Sequence, residues 1–474
     1  MDDTNATKRK RLQPVSLGND LNINTNGCSI ETQQQQPSTS KSFQQIIEEV
    51  ANDTKQHLKQ FVEEKEEKKE MKELMEEDID NNKMEEEDVN IQQKAAKIAR
   101  EYETWKSNAI YLYSFLTTYE TSFPYSTTFD WGNIVDRNNN VAKQEFVYGT
   151  NGENAFVIKA FTSIPLGTVK PSPFVDGMVG EFDCDDRIDE IALVSHSGDV
   201  RRIRTMPQDK NVCVTTSSDG NCYIYNFNET NPQPCKRTAG GGFGICWSNL
   251  LLGTFTVCEE GNLHIFNTEV PEGISIKNIH DSINDVCWNS QSEIMLSVGE
   301  DGRALITDYR TLKTEIEFKE THEGDANACS FDPNYSTLFI TGGGIDGFVR
   351  FWDMRKPNQE LCHLFGPQDG INCCCLSTIN KGFVCTASKD HMVRIYDMSK
   401  VGEDQTSNDA DDGGSEFLFG HSGHLNEVFD ALWNPEIPYV IGTSGDGRDI
   451  QFWKPMESLM KEDRTILKPQ FLKL

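Results

Sequence analysis

Between Ser399 and His424 the chain reads SKVGEDQTSNDADDGGSEFLFGHSGH, a run of carboxylates set among small polar residues. Carboxylates can accept two parallel hydrogen bonds from a guanidinium, so the chemistry on offer is recognition of a cationic partner. Catalytic patterns point the other way. Gly342, Gly344 and Gly347 satisfy G-x-G-x-x-G, but the strand-like FVRFWDM follows them. A dinucleotide site needs a helix N-terminus there to hold the pyrophosphate. Gly240 to Gly244 lacks the Lys-Ser/Thr of a phosphate loop, and neither a nucleophile elbow nor an H-E-x-x-H pair occurs. None of the 14 cysteines stands in C-x-x-C spacing, and Cys373, Cys374 and Cys375 are adjacent in a strand-like stretch. They read as reduced core thiols. The expectation is a non-enzymatic chain without catalytic residues, cofactor or metal.

The elements that must present the acidic run are repeats. Six short endings, NCYIYNF, NLHIFNT, RALITDY, FVRFWDM, MVRIYDM and DIQFWKP, align on Tyr225, Phe266, Thr307, Trp352, Tyr396 and Trp453, at spacings of 41, 41, 45, 44 and 57 residues. Four of these lie near the roughly 40 to 45 residues of a WD40 blade, and the fifth is longer by the acidic insertion. A turn precedes each ending, among them Asp219-Gly220, Asp301-Gly302, Asp346-Gly347 and Asp446-Gly447. Such pairs supply the positive backbone angle of a tight hairpin, so the repeat is a β-meander. Insertions into stacked repeats fall in loops on an exposed face, where scaffolds carry binding chemistry. His280, His322 and His424 stand about 30 residues before their aromatic endings, as in the G-H to W-D signature. They are expected to hold blades together by buried hydrogen bonds and to be neither ligands nor bases. With an irregular unit from Glu145 to Phe161 and Arg187 to Val194, the count is seven blades. Ring closure is expected from a strand near Ser126 to Trp131 in the last blade.

Composition excludes some partners. Asp and Glu number 75 against 45 Lys and Arg, a formal charge of -30, which disfavours direct nucleic-acid binding and favours a cationic protein. No apolar run reaches the length of a membrane span and the first residues form no signal peptide, so no membrane partner is expected and the chain should stay inside the cell. Gln33 to Gln36 and the Pro-Ser-Thr-Ser run from Pro37 are low-complexity, and Glu63 to Asp88 holds 14 acids and 5 bases. Residues 1–93 therefore read as a disordered acidic tail. Lys8-Arg9-Lys10-Arg11 has the form of a nuclear import signal, which makes the expected location nuclear, with the cytoplasm as a second compartment.

From about Gln93 the pattern turns helical. Tyr102, Trp105, Ala109, Leu112, Leu116 and Tyr119 recur at intervals of 3, 4, 3, 4 and 3, which aligns them on one helical face. A second set, Ile110, Tyr113 and Phe115, points elsewhere.

Several motifs then carry a family resemblance. Glu101-Tyr102-x-x-Trp105-Lys106-x-Asn108 with Leu112-Tyr113, Arg204-x-Met206-Pro207-Gln208, the insertion from Gly402 to Gly413, and Leu418-Phe419-x-His421-x-Gly423-His424 resemble the retinoblastoma-binding, Msi-type WD40 histone chaperones. The resemblance covers about Lys94 to Met456. It implies an all-β, seven-bladed WD40 β-propeller with an N-terminal α-helix against the last blade. The expected divisions are 1–93 tail, 94–122 helix, 123–457 propeller with the acidic loop at 399–420, and 458–474 C-terminal tail.

The resemblance further implies a groove between helix and loop that receives the first helix of histone H4, alone or in an H3-H4 dimer. Its acidic wall would be Asp409, Asp411 and Asp412, and its apolar walls Leu112, Phe115, Leu116, Leu418 and Phe419. The family's complexes are chromatin assembly factor, type B histone acetyltransferase, deacetylase, remodelling and Polycomb-type assemblies. Where the family has paired prolines after the acidic motif this chain has Gly414 and Ser415, so a less rigid loop is expected. A second family site, an acidic ring on the propeller's narrower face, maps to Asp199, Asn327 and Asp446. Gly241, Asn284 and Gly370 replace the family's glutamates there, so weak or absent binding of a cationic peptide is expected. The rival reading is a WD40 substrate receptor of a ubiquitin ligase or a general interaction platform without histone affinity.

Overall fold

The computed structural model describes residues 80–460 except 122–126, 153, 168, 176, 181–187, 358, 365–368, 405–413 and 448. The low-complexity and basic segments of the N-terminal tail, and the last residues of the C-terminal tail, therefore lie outside the described residues.

Seven antiparallel sheets follow one another along the chain. Blade 1 comprises strands Thr128–Arg137, Val141–Gly149, Ala155–Pro165 and Ile188–His196. Blades 2 to 6 lie within residues 200–238, 245–276, 283–318, 326–364 and 371–421, each a four-stranded meander. This is a seven-bladed β-propeller, and the irregular unit expected before the regular repeats is its first blade. Each blade buries a β-branched or aromatic face against its neighbour, so apolar clusters fill the spaces between blades.

Blade 7 is assembled from both ends of the chain. The C-terminal side supplies Val428–Trp433, Ile441–Gly445 and Asp449–Pro455. The next strand is Tyr113–Glu120, paired antiparallel with Asp449–Pro455 so that Leu116 faces Trp453 and Tyr119 faces Ile450. Met178–Val179 adds a short outer strand. The ring-closing strand is thus not the expected Ser126–Trp131, which begins the innermost strand of blade 1. The helix, α1, spans Asp80–Leu112 and does not continue to residue 122. No Gly or Pro interrupts it, but from Tyr113 the residues YSFLTTYE favour strand, and an unpaired edge of blade 7 is there to take them.

Buried histidines hold the blades as their spacing suggests. His322 Nε2 lies 2.8 Å from Thr341 Oγ1 and its Nδ1 3.0 Å from Asp346, while Trp352 Nε1 donates to the same Thr341 hydroxyl at 2.9 Å. His280 with Ser297 and Asp301, and His424 with Thr443 and Asp449, repeat the arrangement.

A second device crosses the seam. Arg204 of blade 2 reaches Asp430 of blade 7 with two parallel bonds of 2.7 and 2.8 Å, and Thr128 of blade 1 donates to the same carboxylate at 2.9 Å. Burial alone would raise the Asp430 carboxyl, but the Arg204 charge, aided by Arg202, outweighs it and holds the group below the usual carboxylate range.

Asp430→Ala should therefore cost about 3 to 5 kcal/mol in chemical denaturation, because it strands a buried guanidinium. A depressed carboxyl stabilises the fold at pH above its unfolded value near 3.9, and that stability is lost as pH falls towards the lower folded value. Denaturation of the natural chain at pH 7 and pH 3, compared with Asp430→Asn, should reveal a pH-dependent component that the variant lacks.

Candidate histone-helix groove

The wall beside the acidic insertion is built on α1. Ala95, Ala99, Trp105 and Ala109 form its buried stripe, with Tyr102 and Leu112 half-buried at the margin. Small alanines let the helix lie close to the sheet, and Trp105 is the large anchor. Its indole Nε1 donates to Tyr113 Oη at 2.7 Å, and Tyr113 Oη lies 2.7 Å from His421 Nδ1. An indole N–H can only donate, so the tyrosine hydroxyl passes its own proton towards the imidazole, which fixes the His421 tautomer. His421 stacks on Trp453 at 4.4 Å with 9° between planes, and Tyr113 meets Phe419 edge-on at 5.4 Å. Burial, reinforced by the neighbouring His424, pushes the His421 imidazole well below its ordinary pKa. One buried network thus joins α1, the ring-closing strand, the outer strand of blade 6 and the last strand of blade 7.

The insertion emerges from blade 6. Asp397 caps a short 3-10 turn, Met398–Lys400, at the entry. On the exit side Ser415 Oγ donates to Lys400 O at 2.6 Å and Asp397 N donates to Glu416 O at 2.8 Å. The serine that stands in place of a proline therefore pins the loop's two ends together. Asp409, Asp411 and Asp412 lie outside the described residues.

The apolar wall differs from expectation. Phe115 is buried among Phe129, Trp131, Phe146 and Phe452, on the side of blade 1. Leu116 is fully buried among Tyr113, Trp433 and Trp453, and Phe419 is 5% exposed in the same cluster. These three are core residues of the closed ring, because a strand inside a sheet turns both its faces to neighbours. Leu112 and Leu418 remain half-buried at the edge of that cluster. Leu418 is the extra residue of a β-bulge, since Ile395 pairs Phe419 while Tyr396 pairs Phe417, and a bulge re-aims a side chain out of the sheet's alternation. Tyr111, which the periodicity did not single out, is 60% exposed beside Leu112. An aromatic residue off the buried stripe was its only signal.

The residues of the second face do not converge. Asp199, Asn327 and Asp446 belong to different blades. Asp199 accepts from Gly152 N at 2.7 Å, Asn327 accepts from Asn284 Nδ2 at 3.2 Å, and Asp446 N donates to Glu427 O at 2.7 Å. Arg201 donates to the Gly241 carbonyl and lies over Phe243, so a cation occupies a position where the family's ring is acidic.

Fold and site together define a WD40-type β-propeller with a helix docked on the blade that closes the ring. Residues 313–353 and 358–397 match the model described as WD domain, G-beta repeat. Residues 100–157 match the family of the histone-binding protein RBBP4 and its counterpart in the CAF1 complex. The "Histone acetyltransferase type B subunit 2" of Candida glabrata is 26% identical over 378 residues, covering 75% of this chain and 88% of that relative. The resemblance to the retinoblastoma-binding, Msi-type WD40 proteins is borne out by these matches. The segment around Trp105, one of the motifs that carry the resemblance, lies inside the 100–157 match.

Tyr113→Phe should leave a buried indole donor unpaired and cost about 1 to 3 kcal/mol. A depressed imidazole makes the unfolded chain the better proton acceptor, so folding stability should be full above pH 6.5 and decline as pH falls below it. Thermal unfolding of the natural chain and of His421→Gln between pH 7.5 and 5.5 checks this, and the variant should lose less over that range.

Proposed function

We propose that this chain is a non-catalytic histone-binding scaffold subunit that receives the first helix of histone H4 between α1 and the acidic insertion. The observation that carries the proposal is the 100–157 match to a histone-binding family, which falls on the end of α1 and on the strand that fixes it beside the insertion. An amphipathic helix laid in a groove takes its affinity from apolar anchors. Tyr111, Leu112 and Leu418 are the described apolar side chains at this place that a partner can reach. Asp409, Asp411 and Asp412 supply the acidic wall and would pair a histone arginine. A formal charge of -30 favours encounter with a basic protein. The likeness to a type B histone acetyltransferase subunit supports work alongside such an enzyme or in chromatin assembly, with H3-H4 as the larger cargo. The setting we assign is the nucleus, with the cytoplasm as a second compartment.

Replacing Asp409, Asp411 and Asp412 together with Asn should weaken binding of an H4 first-helix peptide by about 2 kcal/mol or more, since breaking a desolvated charge pair costs about 2 to 5 kcal/mol. Calorimetry at two salt concentrations measures it, and the melting temperature should stay put. Leu418→Asp should weaken binding as well, whereas Leu116→Asp would unfold the seam. Unchanged H4 affinity in the triple variant would move the assignment to a general WD40 platform.

A further inference from the structure

The innermost strands of blades 4 to 7, Ile283–Trp288, Ala326–Phe331, Ile371–Leu376 and Val428–Trp433, share one alternation of buried and half-exposed residues. Their second and fifth positions are half-exposed, and since these strands ring the axis, those positions open to the central channel. The second positions are Asn284, Asn327, Asn372 and Phe429. The fifth are Cys287, Ser330, Cys375 and Leu432, and Cys246 takes the corresponding place in blade 3.

Sulfur is concentrated on one arc of this ring. Cys329 Sγ lies 3.8 Å from Cys287 Sγ across the boundary between blades 4 and 5. Cys246 Sγ reaches over from blade 3 to accept the Trp288 N–H at 3.3 Å, next to Cys287. All twelve described cysteines are free thiols. Cys287 is half-buried, so the pair has one sulfur reachable from the channel and one beneath it.

We propose that Cys287 and Cys329 form a dithiol site for a single soft, thiolate-seeking centre, either a cuprous ion or a trivalent arsenical. Soft thiolates select such centres. Zinc is disfavoured because a structural zinc site takes four ligands, and among the described residues no group of three or more His, Cys, Asp or Glu is arranged to hold a metal. With a monosubstituted arsenic oxide the balance is two S–H plus As=O giving two As–S bonds and one water, with no change of oxidation state. With the cuprous ion two thiol protons leave and two Cu–S bonds form. Burial pushes the Cys329 thiol well above its ordinary range, so binding displaces a firmly held proton and strengthens as pH rises.

The test uses the reduced full-length chain. It is titrated with phenylarsine oxide, denatured, alkylated and read cysteine by cysteine by mass spectrometry. One equivalent should shield Cys287 and Cys329 together, at least ten-fold relative to the untreated chain, and leave exposed Cys235 reactive. Cuprous ion delivered from bicinchoninate should shield the same two. Shielding at Cys373 and Cys375, at unrelated single thiols, or nowhere would overturn the site; shielding by the arsenical alone would overturn its copper half. Cys287→Ser and Cys329→Ser should each abolish the paired shielding. Because the mapping is done on the natural chain, a variant that failed to fold would not hide the outcome.

Discussion

The pairing of Tyr113–Glu120 with Asp449–Pro455 is the constraint on which the other features rest. A propeller is a sheet array bent into a ring, and its last blade has no following blade to complete it. Here the C-terminal side provides three strands and the fourth comes from the far end of the chain. Because α1 runs directly into that fourth strand, the helix has no freedom to dock elsewhere. The Trp105–Tyr113–His421 chain of hydrogen bonds and the stacking of His421 on Trp453 then lock its rotation. The groove wall is a by-product of ring closure.

Charge is managed differently inside and outside the ring. At the seam Asp430 is buried and receives two bonds from Arg204 and one from Thr128, so three blades share one carboxylate. Outside, the chain's large excess of acid is left for solvent and partners. On the second face the amides of Asn284 and Asn327 bond each other and Arg201 leans on Phe243. A surface of paired amides and a stacked guanidinium attracts a cationic peptide less than a ring of carboxylates would.

Much of this was legible in the sequence. The 41- to 45-residue spacing, the Asp-Gly turns and the spaced histidines carry the propeller, because each reflects a local requirement of one repeat. The end of α1 was not legible. Leu116 and Tyr119 continue the 3-4 spacing of Tyr102, Trp105, Ala109 and Leu112, so a helical period overlaps a strand whose existence depends on a partner more than three hundred residues away. The same non-local pairing explains why Phe115, Leu116 and Phe419 are core and not groove. Local periodicity cannot report which side chains a distant strand will cover. Leu418 escapes burial only through a bulge, which depends on register and leaves no compositional mark.

The split origin of blade 7 also sets an order of events during synthesis. Tyr113–Glu120 leaves the ribosome early, with its hydrogen-bonding edge unfilled, and must wait for the final blade before Asp449–Pro455 exists to pair with it. Contacts of such sequence separation form late, because the loop between their ends must first be closed. Blades 1 to 6 are local meanders and can form as they emerge. The helix that walls the groove is therefore among the first residues made and among the last to find its place, so a nascent or truncated chain holds most of the propeller but no finished binding surface.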